Sequence, residues 1–301
     1  FTRHSGFELC ARNLLQEVAA QIGRNERSAS KLQNDRNRLE SDLLPYFGKY
    51  EVADIDYAII SGYINSLSTP TRPLAVNTLK IHLSHLKTIM RHAQRMGVIT
   101  AQPAYPTLKT TDTPRAWFSE GEYGKLHAVC RANIGRLFTK AGTKGEQLRN
   151  ISITDDLYDL IVFMANSFIR PSDIKVLQHK HVAIVRKGGG YLRLSYPPSK
   201  GHGNPVVTMP SAVTVYERLL VRQKKAGVGR PDDYLFLPQH VDNRDYALRQ
   251  LARQFDQLLK VAELKVTANG ESRTLYSLRH TSIMFRLTKG DRIDLLTLAR
   301  N

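Results

Sequence analysis

Along residues 76–96 the chain repeats apolar side chains in steps of three and four. Leu79, Leu83, Leu86, Met90 and Ala93 make one seam, the spacing by which an α-helix buries a single face. Lys80, Lys87, Arg91 and Arg95 lie beside the seam, with His82, His85 and His92 among them, and Gly97 stops the pattern. A helix with one long apolar stripe is stable only when packed against other helices. Three stretches with helical periodicity precede it, at 7–22, 28–47 and 52–67. Ser28 or Ser30 is placed to cap the second, and the run Thr69-Pro70-Thr71-Arg72-Pro73 breaks the chain before the seam. The N-terminal part is therefore expected to be a small all-helical domain, residues 1–102.

The chain has 301 residues, which suggests two domains. Residues 102–114 hold three prolines and no apolar period, and read as a linker over 103–114. A second domain is expected over 115–301. No apolar run approaches membrane-spanning length, and the first residues have no apolar signal-peptide core. The chain starts at Phe1, so it reads as part of a longer protein. Cys10 and Cys130 are the only cysteines. They offer neither a disulfide framework nor a metal pair, which fits a reducing cytoplasm. The net charge of +17 points to a polyanionic partner, with nucleic acid the default. Residues 1–112 contribute +4 and residues 113–301 contribute +13.

In the second part, 119–134 reads as a helix that Ser119 can cap, and 135–151 as a polar loop. Thr154 can cap a strongly apolar helix through Phe168, with Asp155 and Asp156 in its first turn. That helix is expected to end at Arg170-Pro171, because a residue before proline is disfavoured in the α region. Ser172-Asp173 can start a short helix. The period then changes. Residues 182–185, 191–196 and 205–209 read as strands, with Gly188–Gly190 as one turn and the breaker-rich 197–204 as the next. Helices at 212–225 and 246–262 follow. The expected fold class is mainly α with a small antiparallel β-sheet.

Three places could carry chemistry. Tyr276, Arg279 and His280 fall within five residues of an otherwise apolar run, Leu275 to Phe285, where charged groups need partners. Arg170 closes the apolar helix, and Asp173, one turn on, can orient its guanidinium. Lys200 lies at a hairpin tip beside Gly201. Each also has a plainer reading: a capped helix with an incidental arginine, a surface ion pair of little value, a solvated lysine. The basic face at 76–96 can likewise be merely solvated. Taken together, Arg170, Lys200 and Arg279 suit phosphoryl transfer. Two guanidinium forks can hold the two non-bridging oxygens of a phosphorane-like transition state, and a lysine can protonate a leaving alkoxide. The set lacks a nucleophile. There is no H-E-x-x-H and no GxxxxGK[ST] motif. His179 and His181 have no matching Cys or carboxylate cluster. No metal or cofactor is expected.

Four segments resemble the tyrosine recombinases, the phage and integrative-element integrases, and the resemblance spans nearly the whole chain. SFIRPSDIKVL is similar to the family's first-arginine box, which implies Arg170 as the first catalytic arginine and Asp173 as its acidic neighbour. YPPSKGHGNPVVTMP is similar to the hairpin of the catalytic lysine, implying Lys200. LYSLRHTSIMF is similar to the H-x-x-R box, implying Arg279 as the second arginine, with His280 in support. VNTLKIHLSHLKTIMRHAQRMGVI is similar to the last long helix of the SAM-like core-binding domain, implying DNA contacts from Lys80, Lys87, Arg91 and Arg95.

The resemblance implies a helical core-binding domain followed by an α+β catalytic domain, which together clamp double-stranded DNA. It further implies two to four copies assembled on that DNA, in a bacterial cytoplasm. A tyrosine would attack a DNA phosphate to leave a 3′-phosphotyrosyl bond and a free 5′-hydroxyl, with no cofactor. The sequence departs from the family at two points. Tyr276 stands where the family has histidine, a weaker acid/base group near neutral pH. No tyrosine follows Tyr276; DRIDLLTLARN is similar to the helix that leads to the nucleophile. The nucleophile is therefore expected outside these residues, and residues 1–301 alone are expected to be inactive. A DNA-binding regulator of the same fold is the alternative, and an RNA-binding protein rests on charge alone.

Overall fold

The computed structural model describes residues 6–71, 73–110, 115–140, 149–187, 189–197 and 205–289. The chain divides into two units, Phe1–Thr113 and Pro114–Asn301.

The first unit is helical. Helix α1 spans Phe7–Gly23. The stretch 28–47 is not one regular helix. It comprises α2 (Ala29–Arg38), a π-helical turn at Leu39–Leu43 and α3 (Leu44–Phe47). Pro45 accounts for the widened turn, since it has no N–H to donate back and its ring crowds the preceding turn. Among the described residues, neither Ser28 nor any other side chain caps α2. Val52–Asp54 is a 3-10 turn rather than the start of a helix. Helix α4 (Tyr57–Leu67) begins where the Asp56 carboxylate accepts the Ile59 N–H at 2.9 Å. Helix α5 (Val76–Arg95) carries the long seam, and Leu79, Leu83, Leu86, Met90 and Ala93 are all buried. They pack with Phe7, Leu39, Leu43, Phe47 and Ile60. The Phe47 ring lies 5.2 Å from Phe7 and 4.8 Å from Tyr63.

The three histidines of α5 are buried, not spread along its basic side. His82 Nδ1 pairs with the Tyr63 hydroxyl at 2.9 Å. Burial pushes the His85 pKa down to about 4; Arg38, Lys31 and His82 act in the same direction and Asp35 opposes them.

In the second unit, α6 (Glu120–Ala132) opens on a capping box. Ser119 accepts the Glu122 N–H and the Glu122 carboxylate accepts the Ser119 N–H. Glu122 also takes the buried Arg273 guanidinium at 2.6 Å. Helix α7 (Asp155–Ser167), capped by Thr154, is buried along most of its length. It packs on α8 (Ser211–Lys225). Asp159 on α7 is nearly inaccessible and lies between Arg218 and Arg222 of α8, with Arg222 Nη2 at 3.1 Å from Oδ2. A desolvated carboxylate requires such partners. Helices α9 (Arg244–Val261) and α10 (Leu275–Lys289) complete the core, with α10 against α7.

Among the described residues there are two small sheets, where the strand pattern suggested one. The stretch 135–151 is not a featureless loop. Strands β1 (Leu137–Lys140) and β2 (Arg149–Ser152) pair antiparallel, with Leu137 opposite Ser152. Each has only four residues, too few for alternation to announce a strand. The other sheet has the order β3 (Val182–Val185), β4 (Tyr191–Leu194), β5 (Val206–Val207), all antiparallel. The last strand is shorter than the apolar run suggested, and is flanked by Pro205 and Pro210.

With its folded pKa below the ordinary value, His85 is protonated more readily in the unfolded chain. Its contribution to stability is complete above about pH 6.5 and is lost progressively as the pH falls toward 4. Urea unfolding of the first unit should show a loss of about 2 kcal/mol between pH 7 and pH 5 from this residue. His85→Phe should flatten that slope. An unchanged slope would show that His85 is not the group responsible.

Candidate active site

Helix α7 ends three residues before Arg170, not at the Arg170-Pro171 junction. Phe168 turns into the left-handed region (φ 56°) with its ring buried, a conformation phenylalanine adopts only when its surroundings hold it. The Arg286 guanidinium of α10 stands 4.2 Å over that ring and donates to the Val207 carbonyl of β5 at 2.6 Å. Three elements are thereby joined just behind Arg170. Arg170 itself is extended (φ −81°, ψ 151°), as a residue before proline must be, and leads into a 3-10 turn at Pro171–Lys175.

Asp173, inside that turn, is fully buried. Its Oδ2 accepts the backbone N–H of Arg170 at 2.9 Å and the hydroxyl of Tyr196 at 2.9 Å. From the other side the turn is held by Arg244 of α9. That guanidinium donates to the carbonyls of Ile174 (3.3 Å), Phe236 (2.8 Å) and Leu237 (2.8 Å) and lies 3.9 Å over the Tyr234 ring.

Helix α10 presents the third group. Thr274 Oγ1 accepts the Tyr276 N–H at 3.2 Å, and Ser277 Oγ accepts the Thr274 N–H at 3.1 Å. Leu275, Leu278, Thr281 and Ser282 are buried, and Thr281 Oγ1 accepts the Phe118 N–H at 2.9 Å. Helical geometry leaves Tyr276, Arg279 and His280 more accessible, with Tyr276 exposed and the other two half-buried. The Tyr276 and His280 rings lie 5.1 Å apart.

Arg279 and Arg170 stand close enough to feel each other's charge. Burial first, and then Arg170, lowers the Arg279 pKa, while Tyr276, Asp173 and Tyr196 oppose the shift. A guanidinium remains charged through such a shift. Burial and then Asp173 raise the Tyr196 pKa against both arginines, so its hydroxyl stays protonated. Burial, Arg115 and Arg279 lower the His280 pKa, which leaves the ring neutral at pH 7. Two guanidiniums held near one buried carboxylate make a place suited to a tetrahedral oxyanion.

Arg170, Asp173, Tyr276, Arg279 and His280 thus fall in one neighbourhood. Lys200 lies outside the described residues, as does 291–301; Tyr196 and Pro205 are near the ends of the segment that contains Lys200. Sequence reasoning missed Tyr196, which it treated as strand, and Arg115, which followed a linker and offered only its charge. It also missed Arg244 and Arg286, whose roles depend on contacts such as Arg244 with Ile174, 70 residues away, and Arg286 with Val207, 79 residues away. Among the described residues, no cluster of three His, Cys, Asp or Glu could hold a metal ion, and no helix is long and apolar enough to cross a membrane.

The basic side of α5 is partly engaged within the first unit. Lys80 Nζ donates to Thr110 Oγ1 at 2.9 Å, and Lys87 Nζ lies 4.8 Å over the Tyr105 ring. Arg91 is close enough to lower the Tyr105 pKa, against the larger rise from burial. Arg95 approaches Glu17 at 3.6 Å. Tyr105 and Leu108 pack on the helical core, so this part of the expected linker lies against the helices. Arg91 and Arg95 remain exposed.

Residues 13–110 match the family model described as the phage integrase SAM-like domain. Among solved structures, the chain is similar to a lambda integrase (75-356) dimer bound to a COC′ core site, at 13% identity and TM-score 0.63, covering 92% of this chain and 90% of that one. It is similar to a lambda integrase tetramer bound to a Holliday junction, at 12% identity and TM-score 0.63, covering 99% and 78%. It is also similar to the Tn1549 transposon integrase (aa 82-397) in complex with circular intermediate DNA, at 16% identity and TM-score 0.61, covering 92% and 88%. No curated protein matches the sequence. At these identities the likeness is one of fold, and the fold is that of the tyrosine recombinases, mostly helical with small antiparallel sheets.

Proposed function

We propose that this protein, which has the tyrosine recombinase fold, is a site-specific DNA recombinase that cleaves and rejoins strands through a 3′-phosphotyrosyl intermediate. The observation that carries this reading is the pairing of half-buried Arg279 with Arg170 around the buried Asp173. In the proposed reaction a tyrosine hydroxyl from outside residues 1–301 attacks the phosphorus, and the P–O5′ bond breaks. Charge builds on the two non-bridging oxygens, where Arg170 and Arg279 neutralise it. Lys200 gives its proton to the leaving 5′-oxygen. Tyr276 donates a hydrogen bond to a phosphate oxygen in the place histidine holds in the resemblance. The reverse steps, with a second strand's 5′-hydroxyl, restore the phosphodiester and need no cofactor.

The net charge of +17 and the exposed Arg91 and Arg95 support binding to duplex DNA through its phosphates. The likeness to integrases solved as a dimer and a tetramer on DNA supports assembly of two to four copies on the site. Tyr276 in place of histidine favours a second reading, a DNA-binding regulator of this fold that makes no covalent bond.

Full-length protein on a nicked suicide duplex should form a covalent protein–DNA adduct. Arg170→Ala and Arg279→Ala should each slow its formation by about 100-fold or more, the usual cost of losing one oxyanion-stabilising donor. DNA binding without an adduct would favour the regulator, and an adduct unaffected by both substitutions would remove these arginines from the chemistry. For α5, the double change Lys87→Ala with Arg91→Ala should weaken DNA binding and reduce the slope of log K against log salt by about 2. Unchanged binding would take this face off the duplex.

A further inference from the structure

Tyr196 is a polar side chain near the two arginines that the proposed reaction leaves unused. It lies two residues beyond the end of β4, half-buried, with its ring against the core of the second unit. Its hydroxyl and the backbone N–H of Arg170 both bond the same atom, Asp173 Oδ2, each at 2.9 Å. Two bonds to one oxygen, one from the residue that opens the turn and one from beyond β4, restrain the plane of the carboxylate. The chemistry of the donor matters too. A lysine, arginine or histidinium here would cancel the carboxylate's charge. A phenol restrains it and leaves the full negative charge to face the arginines. The bond also ties the end of β4 to the turn that carries Arg170, so that strand and turn move as one body.

We propose that Tyr196 is a positioning residue: its hydroxyl locks the Asp173 carboxylate so that Arg170 and Arg279 meet a tetrahedral oxyanion, the phosphodiester, in a single geometry. The ligand assignment rests on the recombinase reading, but the restraint does not.

The test is Tyr196→Phe in the full-length protein, read in two ways. On the suicide duplex, adduct formation should slow by about tenfold, the loss of one hydrogen bond to a charged group, while the DNA dissociation constant stays within about twofold. Without DNA, tungstate, used as a phosphate mimic, should raise the melting temperature of the parent by binding the folded state. It should raise that of Tyr196→Phe less, and that of Arg170→Ala not at all. Full adduct rate and full tungstate protection in Tyr196→Phe would overturn the assignment. So would loss of rate in proportion to loss of DNA binding or of melting temperature, which would mean a merely structural role. If the parent forms no adduct but its tungstate protection depends on Tyr196, the recombinase reading fails and the restraint stands. If tungstate protects neither protein and no adduct forms, both are overturned.

Discussion

Two guanidiniums cannot be held side by side, half out of water, without a fixed negative charge between their demands. Asp173 supplies it. The carboxylate is fully buried, accepts the Arg170 backbone and the Tyr196 hydroxyl, and lies within the field of Arg279. Much of the second unit can be understood as the means of keeping that carboxylate in place. Burial of a charge is costly unless its hydrogen bonds are satisfied, and among its donors are the backbone of Arg170, which opens the Pro171–Lys175 turn, and the Tyr196 hydroxyl just beyond β4.

The surrounding elements act through the same logic. Phe168 in the left-handed region stops α7 and redirects the chain toward Arg170, and Arg286 over its ring joins that bend to β5. Arg244 collects the carbonyls of Ile174, Phe236 and Leu237, which fixes the far side of the turn to α9. Both arginines are partly desolvated, and burial lowers the pKa of each, yet they remain donors and so act as cross-links. The candidate site is thus assembled from the end of α7, one 3-10 turn, Tyr196 just beyond β4 and the first two turns of α10. Each is anchored by a contact remote in sequence.

How much of this could be read from the sequence follows from the range of each interaction. The α5 seam was legible because helical burial repeats every three to four residues, and the caps at Ser119 and Thr154 because they act over three residues. The residue types of Arg170, Asp173 and Arg279 are legible in the sequence as a set that would suit a phosphate, the role proposed for them. Their bonds are not. Tyr196 meets Asp173 across 23 residues and Arg286 meets Val207 across 79, and no local pattern encodes such pairings. The π turn before Pro45, the early stop at Phe168 and the short strands β1 and β2 leave no periodic trace in the sequence for a related reason. In each, tertiary packing or a single proline overrode a local preference. The histidines of α5 were placed by composition beside lysines, whereas the helix turns them inward.

In the proposed reaction Arg279 and Arg170 act by neutralising charge on a phosphate. The most direct measurement replaces one charged non-bridging oxygen of the scissile phosphate with a methyl group. On such a methylphosphonate suicide duplex, full-length Arg279→Ala should form adduct much faster than it does on the ordinary phosphate, because the substrate no longer carries the charge that the missing guanidinium would have met. An Arg279→Ala protein equally slow on both duplexes would assign this arginine a role other than charge neutralisation.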